Sequence, residues 1–159
     1  MRERGFAVLG DTVVGARVLD LFAGTGAVGI EALSRGAATA VFVDAHRSAA
    51  TLIRTNLESL GVGRDRGLVM NRQAARAVVE LEQRGRIFDL VWADPPFEKW
   101  TDGLESLVAA VAAGITTGDA ALCLECPAKA DVAAVLPDGL SIERDLAGGA
   151  SRVVILRRR

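Results

Sequence analysis

The sequence predicts an α/β fold: a mostly parallel sheet of seven strands with helices on both faces and an antiparallel hairpin at its C-terminal end. Three observations predict it. Apolar runs of strand length alternate with stretches whose apolar residues recur at helical spacing, the pattern of a parallel sheet covered on both faces. Three of those runs carry an acidic residue at or just past their end, at Asp20, Asp44 and Asp94, and a Gly148-Gly149 pair separates the last two runs.

Residues 1–10 open with a basic-acidic-basic run, then Phe6, Val8 and Leu9, which suits a short helix or turn docking onto the domain. Residues 17–22 form the first strand. Val28, Ile30 and Leu33 follow at helical spacing over 27–34, and Gly36 stops that helix. A second strand over 39–43 is closed by Asp44. Ala49, Leu52, Ile53, Leu57 and Leu60 then repeat with helical period up to Gly61. A short third strand at 68–71 precedes a helix over 73–83, and the apolar run 87–93 is the fourth strand, ending in Asp94-Pro95-Pro96-Phe97. Residues 104–113 read as a helix, 120–126 as the fifth strand, 130–136 as a short helix, and 140–146 with 152–156 as the closing hairpin.

With 159 residues, half of them hydrophobic, the chain is long enough for one domain with a sizeable core. It has no apolar run of about twenty residues and no charged leader before an apolar segment, so neither a membrane span nor a secretory signal is expected, and the cytoplasm is the default location. Cys123 and Cys126 lie three apart in an apolar strand and therefore face opposite ways. Such a pair neither closes a disulfide easily nor chelates one metal. A net charge of −1 excludes the overall basic footprint of many nucleic-acid binders. Basic character is local, in Arg64, Arg66, Arg72, Arg76, Arg84 and Arg86 and again in Arg152, Arg157, Arg158 and Arg159, where a solvated face is the plainer explanation than phosphate binding.

Function is legible at the strand ends. In an open parallel sheet the ligand lies beyond the carboxyl ends of the strands, where Asp20 to Gly26, Asp44 and the Asp94 corner should converge. Gly24, Gly26 and Gly29 fit the spacing of a dinucleotide turn, in which a pyrophosphate rests on a helix N-terminus. Asp20 opposes that ligand, because a carboxylate at the strand end repels phosphate and favours a cation or an amine. S-adenosylmethionine (SAM) has an α-amino group, a sulfonium and no phosphate. Asp20, Phe22, Ala23, Gly24, Thr25 and Gly26 are therefore the candidate cofactor cradle. Asp44, with Ala45 beside it, is placed to accept both ribose hydroxyls of an adenosine, a role compatible with capping the helix that opens near His46. His46, the only histidine, is given no catalytic role.

Asp94-Pro95-Pro96-Phe97 could simply stop a strand, since proline cannot donate to the ladder. Two prolines also stiffen the backbone, leave carbonyl acceptors free, and hold a carboxylate and an aromatic ring at fixed offsets. An exocyclic amine on a nucleic-acid base needs that set. Asp94, Pro95, Pro96 and Phe97 are the candidate catalytic residues, Asp94 also bordering the cofactor, and no metal is required.

Asp20 to Gly26, Asp44 and the Asp-Pro-Pro-Phe corner resemble SAM-dependent amino-methyltransferases acting on nucleic-acid bases. The longer run from Asp20 to Ala37, with Phe88 to Phe97, is similar to the RsmD family of 16S rRNA guanine-N2 methyltransferases. The resemblance covers nearly the whole chain and implies the Rossmann-like class I methyltransferase fold. It implies methyl transfer from SAM to the exocyclic N2 amine of a guanine in 16S rRNA, within the small ribosomal subunit or an assembly intermediate, by a monomer with no membrane partner. It also implies that Gln73-Ala74 lies where relatives read the adenine amine, which a glutamine carbonyl could accept. Relatives begin with a basic, glycine-rich arm. Arg2-Glu3 with Phe6, Val8 and Leu9 resembles its end, so residues 1–16 are expected as a remnant of that RNA-binding arm and 17–159 as the methyltransferase domain.

The chemistry so implied is an in-line displacement on the sulfonium methyl, in which the protein positions the reactants. Asp94 and the Pro95 carbonyl accept the amine hydrogens, Phe97 stacks on the base, and a base inside a helix is first extruded. The competing readings are a DNA adenine-N6 methyltransferase, an enzyme acting on a protein amide, a SAM-binding domain with little activity for want of its arm, and a nicotinamide-dependent dehydrogenase.

Overall fold

A computed structural model describes residues 1–159. Its seven strands form one sheet in the order β3-β2-β1-β4-β5-β7-β6. These are β1 (Arg17–Leu21), β2 (Thr39–Asp44), β3 (Gly67–Asn71), β4 (Phe88–Ala93), β5 (Thr116–Pro127), β6 (Leu140–Gly148) and β7 (Ser151–Arg158). The first five run parallel, and β7 pairs antiparallel with both β5 and β6, so the terminal hairpin inserts its second strand beside β5. Strand order reverses between β1 and β4, the place where an α/β sheet opens a crevice at its carboxyl edge.

The helices are α1 (Arg2–Leu9), α2 (Ala27–Ser34), α3 (Arg47–Ser59), α4 (Ala74–Gln83), α5 (Trp100–Ala112) and the single turn α6 (Val132–Val135). They divide the core in two. On one face Phe6, Leu9, Val28, Leu33, Ile53 and Leu57 pack with Phe42 and Trp92; on the other Val78, Leu81, Leu104 and Leu107 pack with Val41, Val91 and Leu122. Strands buried on both faces read as continuous apolar runs rather than alternations, which is why Val41-Phe42-Val43 and Leu122-Cys123-Leu124 carry no polar residue. Cys123 belongs to the first face and Cys126 to the second, as the three-residue spacing predicts, and both thiols are free and buried. Burial pushes their pKa values up, to about 12 and about 11.

Two elements begin four residues earlier than the sequence reading puts them. α5 begins at Trp100 rather than 104 and so carries Gly103, a poor helix former, in its first turn. A Cβ there would come within 2.7 Å of the Pro95 ring, so the helix can lie on the Asp-Pro-Pro corner only with glycine at that point. β5 begins at Thr116, which pairs with Phe88; the ladder then shifts register before Leu90 meets Ala121, and this irregularity absorbs Gly118-Asp119 into the strand.

The N-terminal helix α1 is docked rather than loose. Phe6 is fully buried and stacks on Trp92 with ring centroids 5.1 Å apart, and Gly5 lets the helix approach so closely that a Cβ would lie 2.6 Å from the indole. No helix in the structure is long and apolar enough to cross a membrane.

Candidate active site

The tips of β1 and β4 build the site. After β1 the chain turns sharply: Phe22 takes φ 58°, Gly24 φ 60° and Gly26 φ 83° before α2 begins. A positive φ at Phe22 costs an L-residue about 1–2 kcal/mol, and its ring packs against the core while the Ala23 N–H donates to the Val43 carbonyl at 2.9 Å. The Gly26 N–H closes the turn onto the Ala23 carbonyl at 2.8 Å. Nothing lies within 4 Å of the space a Gly24 Cβ would occupy, so that glycine leaves open room above the turn. Gly29 serves a different purpose: its missing Cβ would stand 2.3 Å from the Phe42 ring, so it seats α2 against β2.

The two acidic strand ends are anchored by this turn. Asp20 is 1% exposed, and its Oδ2 accepts from the Gly29 N–H at 3.0 Å. Desolvation raises its pKa well above the ordinary 3.8, the Gly29 hydrogen bond opposes that, and the charges of Asp94 and Asp44 add to it. Asp20 is thus a shielded carboxylate tied to the helix start, more enclosed than the sequence reading supposes. Asp44 accepts from the Gly24 N–H at 2.9 Å through Oδ2 and from the His46 N–H at 2.8 Å through Oδ1. It therefore ties the glycine turn to the residue that precedes α3 without capping the helix itself, contrary to the capping role the sequence allows, and a carboxylate retains further lone pairs for hydroxyl donors. His46 itself is an exposed side chain whose ring nitrogen lies 3.2 Å from Asp44.

The proline corner joins the turn directly, since the Asp94 N–H donates to the Leu21 carbonyl at 3.3 Å. Pro95 is buried, whereas Asp94, Pro96 and Phe97 are exposed, Phe97 at 43%. Asp94 shares a cleft of about 350 Å³ with Asp20, Phe22, Ala23, Gly24 and Thr25. The same cleft is walled by residues not singled out as site residues: Met1, Arg2 and Glu3 from the N-terminal helix and Glu125 from β5. Ala93 pairs with Leu124, which sets Glu125 on the strand next to Asp94. Desolvation and then the charge and hydrogen bonding of Glu125 push Asp94 up to about 7; burial raises Glu125 as well, while Arg2 draws both down.

Two signals could have found these residues. Glu125 is the one charged side chain in an otherwise apolar run near the end of a parallel strand, and Arg2-Glu3 precede an apolar stretch that must dock somewhere. The adenine-side candidates lie apart from the cleft. Gln73 is exposed at the N-terminus of α4 with Ala74 after it, and Ala45 follows β2. They are linked to the site through Asn71, whose side-chain amide donates to the Asp44 carbonyl at 3.0 Å and the Ala45 carbonyl at 3.1 Å.

The donor set discriminates between ligands. Four carboxylates, Glu3, Asp20, Asp94 and Glu125, face the cleft with one guanidinium, Arg2. That environment disfavours a pyrophosphate and suits an amine or a sulfonium. A larger hollow of about 760 Å³ lies at the opposite edge of the sheet, between the starts of β1, β4 and β5, away from both motifs.

Comparison with known proteins agrees with this geometry. A family model described as "Conserved hypothetical protein 95" matches residues 1–157. The chain is 39% identical over 99 residues to "Ribosomal RNA small subunit methyltransferase D" of Escherichia coli (strain K12), a match covering 62% of this chain and 48% of that protein. It is 36% identical over 98 residues to "Ribosomal RNA large subunit methyltransferase I" of Photobacterium profundum, covering 62% of this chain and 24% of that protein. The first of these matches spans about half the length of the curated relative. Among solved structures, a conserved hypothetical protein from Streptococcus pyogenes superposes with a TM-score of 0.86 at 31% identity, over 100% of this chain and 96% of that one.

Proposed function

The chain belongs to the Conserved hypothetical protein 95 family, the RsmD family that its motifs resemble, and on that premise we propose that it is a SAM-dependent rRNA methyltransferase acting on the exocyclic N2 amine of a guanine in 16S rRNA. What supports the reading most is one relationship: the Asp94 amide is hydrogen-bonded to the Leu21 carbonyl, so the amine-binding corner and the glycine turn share one acidic cleft.

In this reading Asp20 and the turn from Phe22 to Gly26 hold the methionine part of SAM, and Asp44 and Ala45 its ribose. Gln73 and Ala74 border its adenine. When bound, SAM supplies an electrophilic methyl group on a sulfonium. The chain's own residues position the acceptor. The Asp94 carboxylate and the Pro95 carbonyl accept the amine hydrogens, which turns a lone pair otherwise delocalised into the ring toward the methyl. Phe97, exposed beside them, stacks on the base. The proton that the nitrogen loses on methylation would pass to the Asp94 carboxylate, beside which Glu125 stands. Residues 1–16 act as the docked end of an RNA-binding arm, and the chain acts as a monomer on the small subunit or its assembly intermediate.

The test is methyl transfer from labelled SAM to small ribosomal subunits lacking the modification, to large subunits, to naked rRNA and to DNA, by the chain and by Asp94→Ala. The expected result is guanine-N2 labelling in 16S rRNA, with Asp94→Ala keeping SAM binding and losing turnover. Labelling confined to large subunits or DNA overturns the substrate, and equal rates for the two proteins remove Asp94 from the mechanism.

A further inference from the structure

The arginine-rich stretch is left unused by the cleft, and its placement is specific. Residues 45–87 hold eight arginines against four acidic residues, a net charge of +4, while the rest of the chain carries −5. That stretch is α3, β3 and α4, and β3 is an edge strand of the sheet. Two grooves of about 510 and 200 Å³ run along it and share Arg54, Leu68 and Val69. Arg64 lines one of them, and Arg72 and Arg84 the other. Four arginines from four separate segments thus flank one strand.

In the C-terminal cluster Arg158 and Arg159 are exposed and form no ion pair, but the other two are consumed. There, Arg152 is held by Asp145 at 2.6 Å and by the Ala130 carbonyl at 2.8 Å, and Arg157 by Glu143 at 2.9 Å and the Asp119 carbonyl at 2.6 Å. Those two arginines knit the hairpin together. Along β3, Glu80 is taken by Arg72 at 2.8 Å, whereas Arg54, Arg64 and Arg84 are exposed and form no ion pair. Glu58 is the one other carboxylate in the grooves.

We propose that the β3 edge is the surface that holds the RNA backbone, with Arg54, Arg64 and Arg84 neutralising phosphates on its two sides. The inference rests on the RNA-methyltransferase reading and adds to it where the polymer lies. A polyanion fits better than a compact anion, because the unpaired Arg64 and Arg84 line different grooves along the strand, so the free positive charge is spread over its five residues, about 16 Å. The strand also ends at the carboxyl edge of the sheet: its last residue, Asn71, is bonded to the Asp44 and Ala45 carbonyls, and Asp44 in turn holds the amide of Gly24, which lines the cleft. Charge of this kind acts through counterion release, which makes binding steeply salt-dependent.

The experiment compares the full chain with R54Q/R64Q/R84Q and with R144Q/R158Q/R159Q, which removes the same charge from the β6–β7 edge. Binding of a labelled oligouridylate and of small ribosomal subunits is measured over a series of KCl concentrations. SAM binding by calorimetry and methyl transfer to the subunits are measured in parallel. The β3-edge variant is expected to lose tenfold or more in RNA affinity at low salt, its log–log salt slope becoming shallower by about 2–3, while SAM binding is unchanged. The β6–β7 variant is expected to change the slope by less than about 1. Equal losses in both variants, wild-type binding by the β3-edge variant, or an unmodified chain whose RNA binding does not depend on salt would each overturn the assignment. If the unmodified chain shows the β3-edge dependence but labels no nucleic acid, the methyltransferase reading fails and the binding surface stands.

Discussion

Asp94 and Glu125 stand next to each other at the tips of adjacent parallel strands, brought there by the pairing of Ala93 with Leu124, and both open on one cleft. Desolvation and the neighbouring Glu125 carboxylate together make Asp94 hold its proton to a higher pH than it would in water.

Methyl transfer should therefore rise with pH through about 7, as Asp94 becomes a carboxylate able to accept the amine hydrogens. Glu125→Gln removes the neighbouring negative charge, and the rising limb should move to lower pH while SAM affinity changes little. Rate–pH profiles of the two proteins check this; superimposable profiles would detach Glu125 from the titration of Asp94.

Stability should run the other way. Asp20 and Asp94 both have pKa values raised above the ordinary 3.8, so the folded chain binds more protons than the unfolded one above that value. Their contribution is fully present below about pH 4 and is lost as pH climbs through the folded values, about 7 for Asp94. Asp20→Asn keeps an acceptor for the Gly29 N–H and removes the buried charge. Melting curves should show it more stable at neutral pH, by about 2–4 °C for each kcal/mol gained, with a flatter pH dependence. Calorimetry should show SAM binding weakened tenfold or more.

The two glycines of the turn should separate folding from binding. Gly29→Ala drives a methyl into Phe42 and should cost about 1–3 kcal/mol in denaturant unfolding. Gly24→Ala meets no atom and carries only the strain of its positive φ, about 1–2 kcal/mol, while its methyl fills the open room over the cradle. Its larger effect should be on SAM affinity.

Phe97→Ala should leave the melting temperature nearly unchanged, because the ring is 43% exposed and lies outside both core clusters. Stacking of a base on an aromatic ring is worth about 1–3 kcal/mol, so KM for the RNA substrate should rise roughly ten- to a hundredfold. A fall in stability with unchanged kinetics would make Phe97 a packing residue instead.

Much of this architecture was legible in the chain. The helix over 27–34 and the closing hairpin are where periodicity puts them, because Gly26, Gly36 and Gly148-Gly149 mark their limits. The early start of α5 was hidden by Gly103, whose purpose is visible only once Pro95 is seen beneath it. Asp20 and Asp94 were readable as strand ends, but Glu125 was not. A carboxylate three residues from Leu122 becomes a neighbour of Asp94 only after the fold sets β5 beside β4. The part played by Arg2 and Glu3 was obscured for the same reason, since the stacking of Phe6 on Trp92 is what carries them to the cleft.

The opposed placement of Cys123 and Cys126 supplies a built-in pair of reporters. Each thiol is sequestered beneath a different layer of helices, unreactive while its layer stays closed. Timed alkylation followed by peptide mass analysis would then clock the opening of each layer separately, and a ligand gripping the turn before α2 should slow modification of Cys123 more than that of Cys126.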